Sequence, residues 1–88
     1  MLDKTRLAPA EQIGAVVGEI LARRGLDGPV AADADLARFG MTSIDMVELM
    51  LGVEAEFDLT IPPAEITLRN FGSIAAIEAM VSRLRPPS

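Results

Sequence analysis

The chain has 88 residues, half of them apolar, with 13 acidic and 8 basic side chains and a net charge of −5. That length suits one domain, 1–88 with about 8–85 structured, and half apolar is ample for a core and too much for a disordered chain. An acidic chain is a poor match for nucleic-acid phosphates. No stretch approaches the ~20 apolar residues of a membrane span, and no secretory h-region stands at the N-terminus. Cysteine and histidine are both absent. Disulfides, thiolate chemistry, Cys/His metal sites and histidine-based catalysis are thereby excluded.

Three helical periods follow in chain order, and a clean period of two never appears. The first helix is predicted over about Pro9–Arg24. Pro9 suits its first position, and Ile13, Val16, Val17, Ile20 and Leu21 make its apolar stripe. Arg23 and Arg24 suit the C-terminal dipole end, and Gly25 supplies a left-handed stop. Gly14 and Gly18 inside it either weaken the helix, by about 1 kcal/mol each, or admit a close neighbour. A long connection follows from Gly25 to Thr42, pinned to the core by Leu36, Phe39 and Met41. Its Asp33 and Asp35 do not start a calcium loop, because the sixth position from Asp33 is Arg38 and the twelfth is Ile44.

A second helix is predicted over Ser43–Phe57, with Thr42 and Asp45 at capping-box spacing. A turn with one short helical turn follows at Ile61–Ile66. The last helix begins near the N-cap Ser73, has Ile74, Ile77, Val81 and Leu84 on one face, carries Arg83 and Arg85 in its last turn, and stops at Pro86 and Pro87. The expected architecture is all-α: a small four-helix bundle of three main helices, one short helix and a long first loop.

The second helix carries two apolar faces. Met46, Leu49, Met50, Val53 and Phe57 cluster within about 100° on the helical wheel and read as core-facing. Ile44, Val47 and Leu51 fall on nearly the opposite side. A domain this small cannot bury a helix all round, so this second strip is expected to be exposed, or else to pack under the long loop. Asp45, Glu48, Glu54 and Asp58 lie around it. From Asp33 to Glu65 there are eight acids against one base, Arg38. Such a block is either a plain solvated face or a docking surface for a basic, partly apolar partner.

Ser43 stands where unpaired helix N–H groups favour an anion, the geometry of a cap or of a stabilised phosphate ester. No His or Lys is near to activate it, so a serine hydrolase is excluded. A catalytic carboxylate pair is disfavoured too, because the acids are expected on an open face with nothing to separate their pKa values.

The stretch Phe39-Gly40-Met41-Thr42-Ser43-Ile44-Asp45-Met46-Val47-Glu48-Leu49-Met50 resembles the phosphopantetheine-attachment motif of the acyl carrier protein family, with a glycine three residues before the modified serine. The resemblance continues through Glu54-Ala55-Glu56-Phe57-Asp58, Ile61-Pro62 and Phe71-Gly72-Ser73-Ile74, and so covers nearly the whole chain. It implies a 4′-phosphopantetheine arm, moved from coenzyme A onto Ser43 by a phosphopantetheinyl transferase, that holds an acyl or aminoacyl group as a thioester. It further implies partner-docking positions at Met41, Thr42, Ile44, Asp45, Val47, Glu48, Leu51 and Glu54. Thr42 departs from the Asp usual before the serine in fatty-acid carriers. The chain is thus also similar to stand-alone carriers of specialised pathways, some of them charged with amino acids by ligases that resemble class II tRNA synthetases.

The implied protein is cytoplasmic and monomeric, without metal, membrane or nucleic acid. It is no enzyme itself, but a substrate for a loading ligase and downstream acyl-transfer enzymes. A fatty cargo would need an apolar cavity and a small aminoacyl group would not; Met46, Met50 and Met80 read as core filler rather than as an adaptable pocket. The alternative is an unmodified acidic helical interaction module with Ser43 as a plain cap.

Overall fold

A computed structural model describes residues 8–26, 28 and 30–85, and among them the regular structure is entirely helical. Three α-helices, α1 (Pro9–Arg23), α2 (Ser43–Phe57) and α3 (Ile74–Leu84), are joined by segments that hold two 3-10 turns, Leu36–Phe39 and Pro63–Glu65. The second turn is the expected short helix. The first was not foreseen, and it divides the long connection. Pro86 and Pro87 lie outside the described residues.

Local chemistry sets the helix ends. Pro9 opens α1, and Glu11 accepts a hydrogen bond from the Ala8 N–H at 3.3 Å. At the other end Gly25 takes φ +80°, so that Leu26 N–H reaches the Leu21 carbonyl at 2.9 Å and Gly25 N–H reaches that of Ala22 at 3.0 Å. These are the paired bonds that close a helix with a left-handed residue just beyond its cap. α2 ends the same way without a glycine: Asp58 holds φ 51° while Leu59 N–H bonds the Glu54 carbonyl at 3.1 Å. Ser73 caps α3 by accepting from the Ala76 N–H at 3.1 Å.

α1 is the central element and packs on both α2 and α3. Ile13, Val17, Ile20 and Leu21 of α1 meet Leu49 and Val53 of α2 and Ile74, Ile77, Met80 and Val81 of α3 in one buried core, closed by Leu36, Ile61 and Phe71. The long connection is pinned as expected: Leu36 is fully buried, while Phe39 and Met41 pack half-buried against the core. Two backbone bonds fasten it to the start of α3, Leu36 N–H to the Gly72 carbonyl at 2.9 Å and Ala75 N–H to that of Ala32 at 2.8 Å. Asp35 caps the 3-10 turn by accepting from the Ala37 N–H at 3.0 Å, and that accounts for an acid which a calcium loop could not.

The close helix approach falls at Gly52, not at Gly14 or Gly18. A Cβ on Gly52 would lie 2.6 Å from Cγ1 of Val16, whereas one on Gly14 would meet only Ile74 Cδ1 at 3.8 Å and one on Gly18 nothing within 4 Å. Val16 is β-branched and held in one rotamer by its own helix, so it cannot swing aside. Gly52→Ala is therefore expected to destabilise the fold by about 1–2 kcal/mol despite the better helix propensity of alanine. Gly18→Ala should stabilise it by up to about 1 kcal/mol. Urea denaturation of the two variants checks both signs, and Val16→Ala in the Gly52→Ala chain should recover most of the loss.

Candidate functional site

The site is built around the start of α2. Gly40, at φ +76°, ends the first 3-10 turn and lets the chain reverse into Met41 and Thr42. Thr42, not Ser43, is the N-cap. Its hydroxyl accepts from the Asp45 N–H at 3.2 Å, and the Asp45 carboxylate accepts from the Thr42 N–H at 2.7 Å and the Thr42 hydroxyl at 3.1 Å. Intrahelical bonding begins with Met46 N–H to the Thr42 carbonyl at 3.0 Å, so the N–H groups of Ser43 and Ile44 precede it. Ser43 is the first helical residue, it is exposed, and among the described residues its hydroxyl makes no hydrogen bond. A free hydroxyl beside two open N–H donors at the positive end of a helix suits an oxygen that is to carry a phosphodiester.

The strip expected opposite the core face is open to solvent: Ile44 is 70% exposed, Val47 52% and Leu51 53%. Leu49 and Val53 on the other face are fully buried, and Met46, Met50 and Phe57 half-buried. The strip does not pack under the long loop.

Of the acids expected on an open rim, Asp58 is exposed, whereas Asp45, Glu48 and Glu54 are each engaged by another part of the fold. Asp45 is buried at 8% exposure, because Arg24, at the C-cap of α1, forms an ion pair with the same carboxylate oxygen that Thr42 engages. Its position inside this node overturns the expectation of a solvent-facing acid with an unperturbed carboxyl. The Thr42 N–H foremost, then the Thr42 hydroxyl and Arg24, hold the Asp45 carboxyl below its ordinary value, against an opposing push from burial. Glu48 pairs with Arg23 at 2.6 Å. Glu54 turns toward the following segment and accepts from the Ile61 N–H at 2.7 Å.

Beside Ser43 opens an apolar cavity of about 410 Å³, lined by Met41, Thr42, Met46, Val47 and Met50 on one side and by Ile66, Thr67, Leu68 and Phe71 on the other. The three methionines expected as filler therefore divide: Met80 is fully buried core, while Met46 and Met50 line the cavity. The far wall is held by Glu65, whose carboxylate accepts from Arg83 at 2.8 Å and from the Asn70 side chain at 3.2 Å. Ile66 and Leu68, absent from the expected site, are 45% and 84% exposed. Two large apolar residues set between the turn-forming Pro62-Pro63 and Asn70 were the available sequence signal for them.

A family model described as the phosphopantetheine attachment site matches residues 11–81. The chain belongs to this family. A member carries 4′-phosphopantetheine as a covalent group and works as a carrier protein. This carrier is 51% identical over 72 residues to aminoacyl carrier protein 1 of Bradyrhizobium diazoefficiens, covering 81% of this chain and 80% of that one. It is 39% identical over 80 residues to aminoacyl carrier protein 2 of the same organism, covering 91% and 90%. Among solved structures it is similar, at TM-score 0.73 and 50% identity, to a chain in the crystal structure of Bradyrhizobium japonicum glycine:[carrier protein] ligase complexed with glycylated carrier protein, covering 82% of this chain and 96% of that one. A second complex of that ligase, with its cognate carrier protein and an analogue of glycyl adenylate, matches at TM-score 0.75 and 49% identity, covering 85% and 96%. No helix among the described residues is long and apolar enough to cross a membrane.

The depressed Asp45 carboxyl makes stability depend on pH with a defined sign. An acid whose folded pKa lies below its unfolded one stabilises the fold fully above the unfolded value, near 3.8, and loses that contribution as pH falls through the folded value. Asp45→Asn removes the titrating group, so the variant should be less stable than the parent above pH 4 and converge with it in stronger acid. Urea midpoints measured from pH 7 down to about pH 2.5 read the convergence.

Proposed function

We propose that Ser43 bears the 4′-phosphopantetheine of this carrier and that its cargo is an amino acid, placed there by an amino acid:carrier protein ligase. The observation that carries the attachment site is the unengaged Ser43 hydroxyl at the start of α2, where Thr42 has taken over the capping role. The bound group supplies the thiol that a chain without cysteine lacks. The protein's own residues position: Thr42 and Asp45 fix the first turn, Gly40 shapes the approach, and the Ser43 and Ile44 N–H groups would hold the phosphate of the attached group.

The aminoacyl cargo is supported by relatives named as aminoacyl carrier proteins that match four-fifths or more of this chain, and by the glycylated carrier of the ligase complex. On this reading the protein is not an enzyme. It is a single-domain, monomeric, cytoplasmic substrate for a phosphopantetheinyl transferase, a loading ligase and a downstream acyl-transfer enzyme, without nucleic-acid or membrane partners.

Intact mass after incubation with coenzyme A and a broad-specificity phosphopantetheinyl transferase tests the site. One phosphopantetheine should be gained by the parent and none by Ser43→Ala. Because Thr42 is the cap, that variant should keep its stability to within about 0.5 kcal/mol, below the usual cost of a lost cap. A gain in mass by Ser43→Ala would place the arm elsewhere. No gain by a folded parent would favour the unmodified interaction module.

A further inference from the structure

The resemblance to carrier proteins puts Asp45 among the partner-docking positions, yet its carboxylate is buried and engaged within the chain. One oxygen, Oδ2, accepts from the Thr42 N–H at 2.7 Å and from the Thr42 hydroxyl at 3.1 Å, and the Arg24 guanidinium pairs with that same oxygen. Arg24 is brought there by the way α1 ends. As the C-cap it donates its N–H to the Leu21 carbonyl at 3.0 Å, and Gly25 beside it holds the left-handed turn at φ +80°. The backbone that carries the guanidinium is therefore fixed by the fold of α1 and not by α2.

Two hydroxyls stand side by side at the start of α2, and either could turn onto its open N–H groups. The Thr42 hydroxyl is the one so used, accepting from the Asp45 N–H at 3.2 Å while donating to the Asp45 carboxylate. An aspartate in the first turn of a helix has solvent-facing rotamers as well, and a charge-assisted contact from α1 selects the one that faces Thr42. We propose that Arg24 is a positioning residue for transfer of the arm: through Asp45 it keeps Thr42 in the cap, so that the Ser43 hydroxyl stays free to react. This rests on the reading of Ser43 as the attachment site. In the transfer the Ser43 oxygen forms a bond to the pantetheine-bearing phosphorus of coenzyme A. The bond from that phosphorus to adenosine 3′,5′-bisphosphate breaks with its electron pair, and the serine proton passes to the transferase or to solvent. A serine hydroxyl turned inward as a cap would first have to be released, which lowers the rate of the bound complex and not its affinity. A docking acid predicts the reverse, because freeing Asp45 from Arg24 would offer a new charge to a basic partner and lower KM.

Steady-state transfer from coenzyme A by a broad-specificity phosphopantetheinyl transferase, with the full chain as the varied substrate, separates the two. Arg24→Gln and Asp45→Ala should each lower kcat by about tenfold while KM for the carrier stays within about twofold. The double variant should fall no further than Asp45→Ala alone, since the two residues act as one unit. Arg24→Lys should keep kcat within about threefold, because a single guanidinium nitrogen makes the contact. Ile77→Val, in the buried core on α3, weakens the fold without touching the node and should keep the parent's kcat. Urea midpoints confirm that every variant is folded under the assay conditions. A rise in KM at unchanged kcat in Asp45→Ala, or a fall in KM in Arg24→Gln, would return Asp45 to the docking surface and overturn the positioning role. A loss of kcat in Ile77→Val as large as that in Arg24→Gln would reduce it to general stability. A parent that gains no arm would fail the reading of Ser43 itself, whereas Arg24→Gln gaining it at the parent's kcat would overturn the role of Arg24 alone.

Discussion

The Asp45 carboxylate ties together the end of one helix and the start of the next. It receives the Thr42 N–H and hydroxyl, closing the first turn of α2, and it pairs with Arg24 from the C-terminal cap of α1. The charges suit both helix ends, a carboxylate at the positive start of α2 and a guanidinium at the negative end of α1. The position of Ser43 follows from this node. With Thr42 committed as cap by Asp45, the next residue must be the first helical one, and its side chain is left out of the hydrogen-bonding scheme. Without that commitment a serine beside an open helix end would turn its own hydroxyl onto the backbone.

α2 has to satisfy two surfaces, and the packing shows how one short helix does so. Gly52 lets α1 approach closely enough for Leu49 and Val53 to reach the shared core, which leaves Ile44, Val47 and Leu51 on the far side with nothing to cover them. α3 packs on α1 as well, so the flank of α2 beside Met46 and Met50 is left to the segment around Ile66–Phe71. That segment spans the flank without filling it, and the cavity beside Ser43 is the space left over. The arrangement sacrifices some burial in a domain that has little to spare. Exposed apolar strip and unfilled cavity lie on the same side of the molecule as the free serine, where a partner can supply the missing contacts.

How much of this could be read from the residues depended on how far each interaction reaches along the chain. Pro9, Gly25, Thr42 and Ser73 marked helix ends correctly because capping is settled within about four residues. The exposure of Ile44, Val47 and Leu51 followed from the wheel and the small size of the domain. The fates of the acids did not, because a carboxylate's surroundings are decided by whichever segment folds against it. Asp45 meets an arginine 21 residues away and Glu54 an amide 7 residues away. Nor could Gly52 be distinguished from Gly14 and Gly18, since which glycine is needed depends on where two helix axes cross. The methionines divided for the same reason: Met80 lies in the buried core, and Met46 and Met50 line a cavity opposite a turn whose path no periodicity announces.

The composition and the site agree on a division of labour. A chain with neither cysteine nor histidine lacks the side chains most often used as nucleophilic sulfur and as general base near neutral pH. A carrier has no need of them, provided it holds a thiol that others can reach. What it must contribute is a fixed point of attachment and a surface that tells partners where that point is. A fixed point needs rigid backbone, which the Thr42–Asp45–Arg24 node gives. A readable surface needs groups not already consumed by the fold, which here are the apolar side chains. The charged groups of the first two turns of α2 pair with Arg23 and Arg24 at the end of α1, so the large side chains left open along this helix beside Ser43 are the apolar Ile44, Val47 and Leu51.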